Sequence, residues 1–370
     1  MPHAASAAAR FVTLCARERD VAPAALLADA AGAVDEWGLV VGLAVAHGAA
    51  GLVHQAIGQA GLAVPEKVYA TLRAHALQTL ARVLQLETEL QRVAAGLAEA
   101  GLSVLVLKGP VLSRTIYASP ALRPYNDLDL TIREGDEAAA VSALEKLGFV
   151  EGPSYSQAWW RAHAHAHAAD HAHEPAPFHR KFVGPASVLV ELHMDPLQLG
   201  LHPTCEAGRW RRAVPIPHLP AALMLAPEDQ LVQLSVHVHK HGFSRLIWLK
   251  DLDLLLRAAG GSLDWDLVES VARAEGVRAS VWHAVRLSGE LLSAPVPAGA
   301  LDRFRPAIVA RALHGLVWPT AHIAALQGSM RRRAVQFDAS ESWRGMLPGL
   351  VLMGRRRARA RALLRAVLGR

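Results

Sequence analysis

The sequence predicts an α+β protein in which a small mixed sheet lies between two helical regions. The chain has 370 residues, of which 52% are hydrophobic and 19% charged, and alanine, leucine and valine are abundant, as in packed helices. Short apolar or alternating runs, which are typical of strands, are confined to the middle of the chain. We therefore expect a helical region over residues 1–100, a sheet-containing unit over 101–220 and a second helical region over 221–370.

Hydrophobic periodicity predicts the flanking helices. Residues 68–97 form one long stretch in which leucines recur near helical spacing. After residue 221, the segments 223–240 and 243–258 are the clearest helices, and Pro227-Glu228-Asp229 is typical of a helix start.

The sequence predicts a sheet in the middle unit because the hydrophobic pattern changes there to short apolar or alternating runs separated by turn residues. Pro110 suits the first turn of a helix, and Gly148 is a natural helix end. The predicted order is strand, helix, strand, helix, strand, strand, over residues 102–107, 111–117, 126–132, 136–147, 180–183 and 187–193.

Composition argues against several classes of protein. The two cysteines, Cys15 and Cys205, build neither a disulfide framework nor a thiolate zinc site, so a reducing cytoplasmic location is expected. The first ten residues lack the pattern of a signal peptide. The most apolar stretch, Leu39–Val53, contains three glycines and His47, so no transmembrane segment is predicted.

Three carboxylates form the candidate catalytic and metal-binding group. Strand alternation puts Asp127 and Asp129 on one face, where a hard cation such as Mg²⁺ or Mn²⁺ would relieve their repulsion. Glu191 lies in the alternating run 188–193 and would complete the cluster that two-metal phosphoryl transfer needs. Alone, the Asp-Leu-Asp pattern also fits an exposed edge strand with solvated acids.

Two longer blocks carry a resemblance to a known family. The segments Leu105–Leu112 and Leu122–Leu130 closely resemble the bacterial uncharacterised nucleotidyltransferase family, which has a strand ending in Leu-Lys-Gly, a helix, an arginine and an Asp-apolar-Asp strand. Residues 190–193 resemble its third-carboxylate strand, and residues 237–254 resemble its C-terminal helical motif. The resemblance covers about residues 100–255. It implies the nucleotidyltransferase palm of the DNA-polymerase-β-like superfamily, with helical additions.

The resemblance also implies an activity, which is transfer of NMP from an NTP to a hydroxyl or phosphate of an acceptor. Asp127 and Asp129 would bind both Mg²⁺ ions, and Glu191 would bind the catalytic one and help to deprotonate the acceptor. Lys108 and Gly109 fall where the superfamily has its triphosphate-binding turn. The sequence departs from that pattern because Pro110 has no N–H and because seventeen residues separate Gly109 from Asp127.

Several further residues have two interpretations. Arg123 would bind phosphate or brace the loop before Asp127. His193 would bind phosphate or relay a proton, or would orient Glu191 through a hydrogen bond. His241 and Lys250 belong to a polar cluster, with His237, Lys240 and Arg245, that would line the nucleotide or acceptor cleft or pack against the palm.

Three segments outside this core also have two interpretations. The histidine-rich run 163–179 would bind zinc or nickel or form an exposed loop. Trp159 and Trp160 would stack on a base or anchor a loop. The tail 354–370 carries seven arginines and no acid, so it would bind nucleic acid or a membrane surface, or form a solvated basic helix.

The sequence does not identify the acceptor, which could be a small molecule, a peptide, a protein or tRNA. Two other functions stay open at this point. One is a catalytically inactive nucleotide-binding or scaffold protein of the same fold, which Pro110 favours. The other is a protein that binds metal through its histidine-rich run.

Overall fold

The computed structural model describes residues 2–133, 135–152, 179–194, 197 and 206–306 of the chain. Residues 163–178, Trp159, Trp160, Cys205 and the tail 354–370 lie outside the described residues, and so do the predictions that rest on them.

The described residues form helices of very different length, from 7 to 34 residues. They are α1 (Pro2–Cys15), α2 (Ala24–Gly32), α3 (Trp37–Ala46), α4 (Ala50–Ala60), α5 (Glu66–Glu99), α6 (Gly109–Thr115), α7 (Glu137–Lys146), α8 (Glu206–Arg212), α9 (Pro227–Lys240), α10 (Leu246–Ala259), α11 (Trp265–Ala274) and α12 (Arg278–Leu292). Short 3₁₀ turns occur at Pro120–Leu122, Pro185–Ser187 and Asp302–Phe304.

The strands form one open mixed sheet, which confirms the predicted α+β fold. They are β1 (Leu105–Val106), β2 (Asp127–Thr131), β3 (Val150–Gly152), β4 (His179–Val183), β5 (Leu189–His193), β6 (Val214–Ile216) and β7 (Leu219–Met224), in the order β3-β4-β5-β2-β1-β7-β6. Two neighbouring pairs are parallel, β2 with β5 and β1 with β7, and the others are antiparallel.

One face of the sheet is buried against helices α5 and α7. Leu128, Leu130 and Val190 point to this face because strand residues alternate between the two sides. They pack in one core with Leu86 of α5 and Leu144 of α7. The odd-numbered residues of β2 and β5, including the carboxylates, therefore lie on the opposite face.

The N-terminal and C-terminal helices share a second hydrophobic core. It contains Phe11 and Val53 from the first region and Leu234, Ile247 and Val285 from the second. Helix α5 contributes to both cores: Leu72 packs in the helical core, and residues 83–97 pack against the sheet. These contacts hold α9 and α10 at a fixed place relative to β2.

The predicted start of the helix over residues 223–240 was wrong by several residues. Leu223 and Met224 were expected to begin a helix but form the end of strand β7, which pairs with β1 at Leu105 and with β6. The physical reason is that Pro227 begins helix α9, and proline suits the first helical turn. Strands β3 and β6 were not predicted, and β1 is only two residues long because the chain turns at Lys108.

Within the described ranges, no helix combines enough length with enough apolar character to cross a bilayer.

Candidate active site

The register of β2 and β5 brings the predicted carboxylates together. In this parallel pair Asp129 lies directly opposite Glu191, and Thr131 lies opposite His193. Asp127 precedes Asp129 by two residues and so shares its face. The predicted acidic group is therefore assembled by sheet pairing between segments that lie about sixty residues apart in sequence.

The end of β1 adds a cation to this group. Leu107 donates its N–H to the carbonyl oxygen of Asp129, and the chain then turns sharply at Lys108, which has φ 54° and ψ −123°. Such backbone angles are usual for glycine and strained for other residues. The turn leads into α6 and directs the Lys108 side chain to Asp129, where its Nζ lies 3.0 Å from Oδ2.

Asp129 is the most enclosed of the three carboxylates and is 4% exposed. Besides the ion pair with Lys108, its Oδ1 lies 2.8 Å from Nε2 of His193. The charge of Lys108 and the contact with His193 hold the pKa of Asp129 well below its ordinary value, although burial acts in the opposite direction. Burial lowers the pKa of His193, and the hydrogen bond and charge of Asp129 act in the opposite direction. An ionised carboxylate can only accept, so in this contact Nε2 of His193 is the donor.

Glu191 is half-buried and has two neighbours. Its Oε2 lies 3.6 Å from Nε2 of His193, and its Oε1 lies 2.5 Å from Nζ of Lys181 on β4. Sequence reasoning missed Lys181, although the alternation of residues 179–183 would have placed it on one face. The antiparallel register sets Lys181 directly opposite Glu191.

Asp127 differs from the other two residues because its carboxylate has no hydrogen bond or ion pair within the described ranges. Burial raises its pKa to about 6, and the negative charge of Asp129 adds to this shift. The charges of Lys108 and Arg123 act in the opposite direction. A carboxyl group with a raised pKa, next to another carboxylate, favours a cation as its ligand.

Three of these side chains satisfy a geometric requirement for holding a metal ion. Asp129, Glu191 and His193 each offer one ligand atom, and these atoms all lie within 4.8 Å of one another. This group includes His193, which was not predicted as a metal ligand, and does not include Asp127. Two carboxylates and an imidazole fit a divalent cation.

The structure places Arg123 and Gly109 in packed surroundings beside the carboxylates. The guanidinium of Arg123 makes two hydrogen bonds of 2.7 Å to Asp251 of α10, an arrangement that fits the bracing interpretation. Gly109 begins α6, and a Cβ atom there would lie 2.6 Å from the Tyr125 side chain. Close approach of Tyr125 therefore requires a glycine at this position. Phosphate binding by Arg123 and Gly109 stays a prediction.

His241 and Lys250 lie in different environments. The His241 ring contacts His237 and Trp248, with centroids 4.8 and 5.1 Å apart. Burial lowers the pKa of His237 well below its ordinary value. The charges of Lys108 and Asp129 also act on this pKa, so His237 lies close to the carboxylate group.

Among the described residues, Lys250 makes no ion pair with Asp127, Asp129 or Glu191. Its Nζ lies 2.6 Å from Glu18 and 2.7 Å from Asp253, and its side chain is buried. These ion pairs assign it to the packing of α10 against the segment that follows α1. Nucleotide binding by Lys250 stays a prediction that this placement does not support.

The fold and this site define a class of protein, an α+β protein with a candidate metal-binding site on its central strands. Residues 34–293 match the model of a family described as uncharacterised nucleotidyltransferase. Because the match covers more than two thirds of the chain, the protein belongs to this family, as the resemblance predicted. The family implies an NTP substrate. The comparison with curated proteins gave no match.

The strained turn at Lys108 leads to a prediction about stability. The variants Lys108→Gly and Lys108→Ala both remove the ammonium group, so they differ only in how they tolerate φ 54°. We expect the glycine variant to be more stable than the alanine variant by roughly 1 kcal/mol, measured by urea unfolding.

Lys181 provides the matched control for this comparison, because it also binds a site carboxylate but lies in an ordinary strand. There the order should reverse, with Lys181→Ala more stable than Lys181→Gly. If alanine is favoured at both positions, the turn at Lys108 stores no strain.

The raised pKa of Asp127 leads to a second prediction, for the metal-free protein. Its pKa of about 6 in the folded state exceeds the ordinary value of 3.8, so folding favours the protonated form. As pH rises through about 6, Asp127 ionises in the folded protein, and the free energy of unfolding of the wild type falls relative to that of Asp127→Asn. At pH 7.5 in EDTA we expect Asp127→Asn to be more stable, by on the order of 3 kcal/mol.

Unfolding at low pH is the internal control for this prediction. Below pH 3.8 Asp127 is protonated in both states, so the difference between the two proteins should largely vanish. A difference that is the same at both pH values would show that charge burial at Asp127 is not its cause.

Proposed function

We propose that this protein is a metal-dependent nucleotidyltransferase that transfers NMP from an NTP to a hydroxyl or phosphate group of an acceptor. The observation that carries the proposal is the cluster of Asp129, Glu191 and His193, whose ligand atoms lie within 4.8 Å of one another next to Asp127. Membership of a nucleotidyltransferase family supports the same reaction class.

The carboxylates would hold Mg²⁺ or Mn²⁺, since hard divalent cations prefer oxygen ligands. When bound, such ions supply positive charge for the triphosphate and activate the attacking oxygen. Asp127 and Asp129 would be the principal ligands, and Glu191 would hold the catalytic ion. His193 would orient Asp129 through the hydrogen bond of 2.8 Å. To become a metal ligand through the same Nε2, His193 would have to give up this hydrogen bond and carry its proton on Nδ1.

In the reaction, the acceptor oxygen would form a bond to the α-phosphorus of the NTP. The bond from that phosphorus to the oxygen bridging to the β-phosphate would break, and pyrophosphate would leave. Glu191 would accept the proton of the acceptor hydroxyl. This role is open to Glu191 because its carboxylate is half-buried and not fully enclosed.

Lys108 would bind the triphosphate after release from Asp129. Its Nζ lies 3.0 Å from Asp129 Oδ2, where its positive charge compensates the buried carboxylate. A dication bound to Asp129 would repel this ammonium group, and the phosphate oxygens of the incoming NTP would then be its nearest anions. The strained turn keeps Lys108 at the end of β1, where its side chain can reach either Asp129 or the triphosphate.

The test is pyrophosphate release from each of the four NTPs by the full chain, with Mg²⁺ or Mn²⁺ and a cell extract as the source of acceptors. Release that requires metal and stops in EDTA is expected with at least one NTP. Absence of release with all four NTPs would reject the transferase function.

A catalytically inactive nucleotide-binding protein of the same fold is the second candidate. The observation that favours it is that lysines already neutralise two carboxylates, Lys108 at Asp129 and Lys181 at Glu191. NTP binding without pyrophosphate release would identify this function.

A further inference from the structure

Arg245 is a half-buried cation whose two terminal amino groups have no hydrogen bond or ion pair in the described part of the chain. Its Nε donates to the carbonyl oxygen of Ala46 at 3.3 Å, and its guanidinium lies 5.7 Å from the centroid of the Trp248 ring. Arg123 and Arg257, by contrast, each bind an aspartate. An arginine that is held in place but lacks an acidic partner is suited to an external anion.

The position of Arg245 is fixed beside the segment that leads into β2. It immediately precedes α10, and α10 is joined to that segment by the ion pair between Arg123 and Asp251. The turn between α3 and α4 packs between α10 and the segment that leads into β2. A Cβ at Gly48 of this turn would lie 3.1 Å from Ile247 of α10 and 3.3 Å from Pro124 of that segment.

The charges around Arg245 agree with this position. Burial lowers the pKa of its guanidinium, the positive charge of Arg123 lowers it further, and the negative charge of Asp127 acts in the opposite direction. Arg245 is therefore close enough to Arg123 and Asp127 for their charges to act on its guanidinium. Because Arg123 is already neutralised by Asp251, Arg245 is the cation of this pair that has no acidic partner among the described residues.

The backbone amides at the start of α10 do not provide the anion site. Leu246 donates its N–H to Nδ1 of His47 at 3.3 Å, and Ile247 donates its N–H to the carbonyl oxygen of His47 at 3.2 Å. Because His47 already satisfies these donors, an anion at this place would bind to the Arg245 side chain.

We propose that Arg245 binds the triphosphate of the NTP beside the carboxylate group, an inference that rests on the proposed function. Its planar guanidinium can offer two parallel N–H donors to phosphate oxygens. The Trp248 face and the Ala46 carbonyl hold the guanidinium in place, so little side-chain freedom is lost on binding. Trp248 is in turn held by His237 and His241, with ring centroids 4.9 and 5.1 Å away. These three aromatic residues position Arg245.

The test uses inorganic tripolyphosphate with Mg²⁺ as a probe that lacks a base and a sugar. Its affinity would be measured by calorimetry for the wild type, Arg245→Met and Arg245→Lys. We expect Arg245→Met to bind it roughly 10- to 100-fold more weakly, as for the loss of charge-assisted hydrogen bonds. Arg245→Lys should fall between the two because it keeps the charge and loses the planar fork.

Arg286→Met is the matched control. Arg286 also lies over a tryptophan, 5.0 Å from the centroid of Trp282, but it is already paired with Glu290 at 2.6 Å. This variant should bind tripolyphosphate as the wild type does.

Wild-type affinity for tripolyphosphate in Arg245→Met, or an equal loss in Arg286→Met, would overturn the inference. If Arg245→Met does not fold, Arg245→Lys decides, and wild-type affinity in that variant would overturn it. Pyrophosphate release with an unchanged KM for NTP in Arg245→Met would overturn the inference and leave the proposed function intact. A tripolyphosphate site that depends on Arg245, without release from any NTP, would support the anion site and reject the transferase.

Discussion

Asp129→Asn is expected to reduce pyrophosphate release by more than about 100-fold, because even the outer partners of metal ligands cost 10–100-fold when they are removed. Asp129 lies directly opposite Glu191 and accepts contacts on both oxygens, from His193 at 2.8 Å and from Lys108 at 3.0 Å. An asparagine side chain has one oxygen and no charge, so it would bind a divalent cation weakly. The measurement is the initial rate of release with the NTP that the wild type uses, at saturating Mg²⁺.

The matched control for this experiment is Glu151→Gln. Glu151 lies on β3 of the same sheet, and its carboxylate binds Arg180, outside the candidate site. We expect full turnover for this variant. A folded Asp129→Asn protein with turnover within about tenfold of the wild type would contradict the proposed role of Asp129 as a metal ligand, because loss of a ligand costs more than that.

The local pattern of the sequence was sufficient to predict which strand residues share a face. Alternation over residues 126–132 and 187–193 predicts that Asp127 and Asp129 share one face of their strand and that Glu191 and His193 share one face of theirs, since side-chain direction in a strand has a period of two. It does not specify which strands become neighbours. The resemblance to the family supplied that step, and the register of Asp129 opposite Glu191 agrees with it.

The partners of the carboxylates could not be predicted from local pattern, because they come from distant elements. Lys181 reaches Glu191 only because β4 pairs with β5 in an antiparallel register. Arg245 comes close enough to Asp127 for their charges to interact only because the two helical regions share one core and the Arg123–Asp251 pair joins α10 to the segment that leads into β2. Periodicity predicts that a helix has a buried face but does not identify what that face packs against.

The ambiguity at Arg123 had the same origin. An arginine just before an aspartate strand has the same appearance in sequence whether it binds phosphate or another part of the fold. Its partner, Asp251, lies 128 residues away on α10, and the pair becomes visible only in the folded chain.

Arg123→Met is expected to lower the free energy of unfolding by roughly 3–5 kcal/mol, because it leaves a buried carboxylate without its counter-charge. Arg123 and Asp251 are 4% and 0% exposed, and Tyr117 also donates to Asp251 at 2.8 Å. The measurement is equilibrium urea unfolding. The control is Arg10→Met, which breaks the exposed pair with Asp29 and should cost less than about 1 kcal/mol.

A double variant separates loss of the ion pair from loss of packing at the same place. In Arg123→Met with Asp251→Leu, both charges are replaced by apolar side chains, so most of the lost stability should return. If the ion pair positions α10 and Arg245 against the strand that carries Asp127, turnover should stay low in the double variant even though stability returns. Stability and turnover that recover together would show that Arg123 and Asp251 only fill space in the core. A cost for Arg123→Met as small as that of Arg10→Met would show that the pair does not join α10 to the sheet.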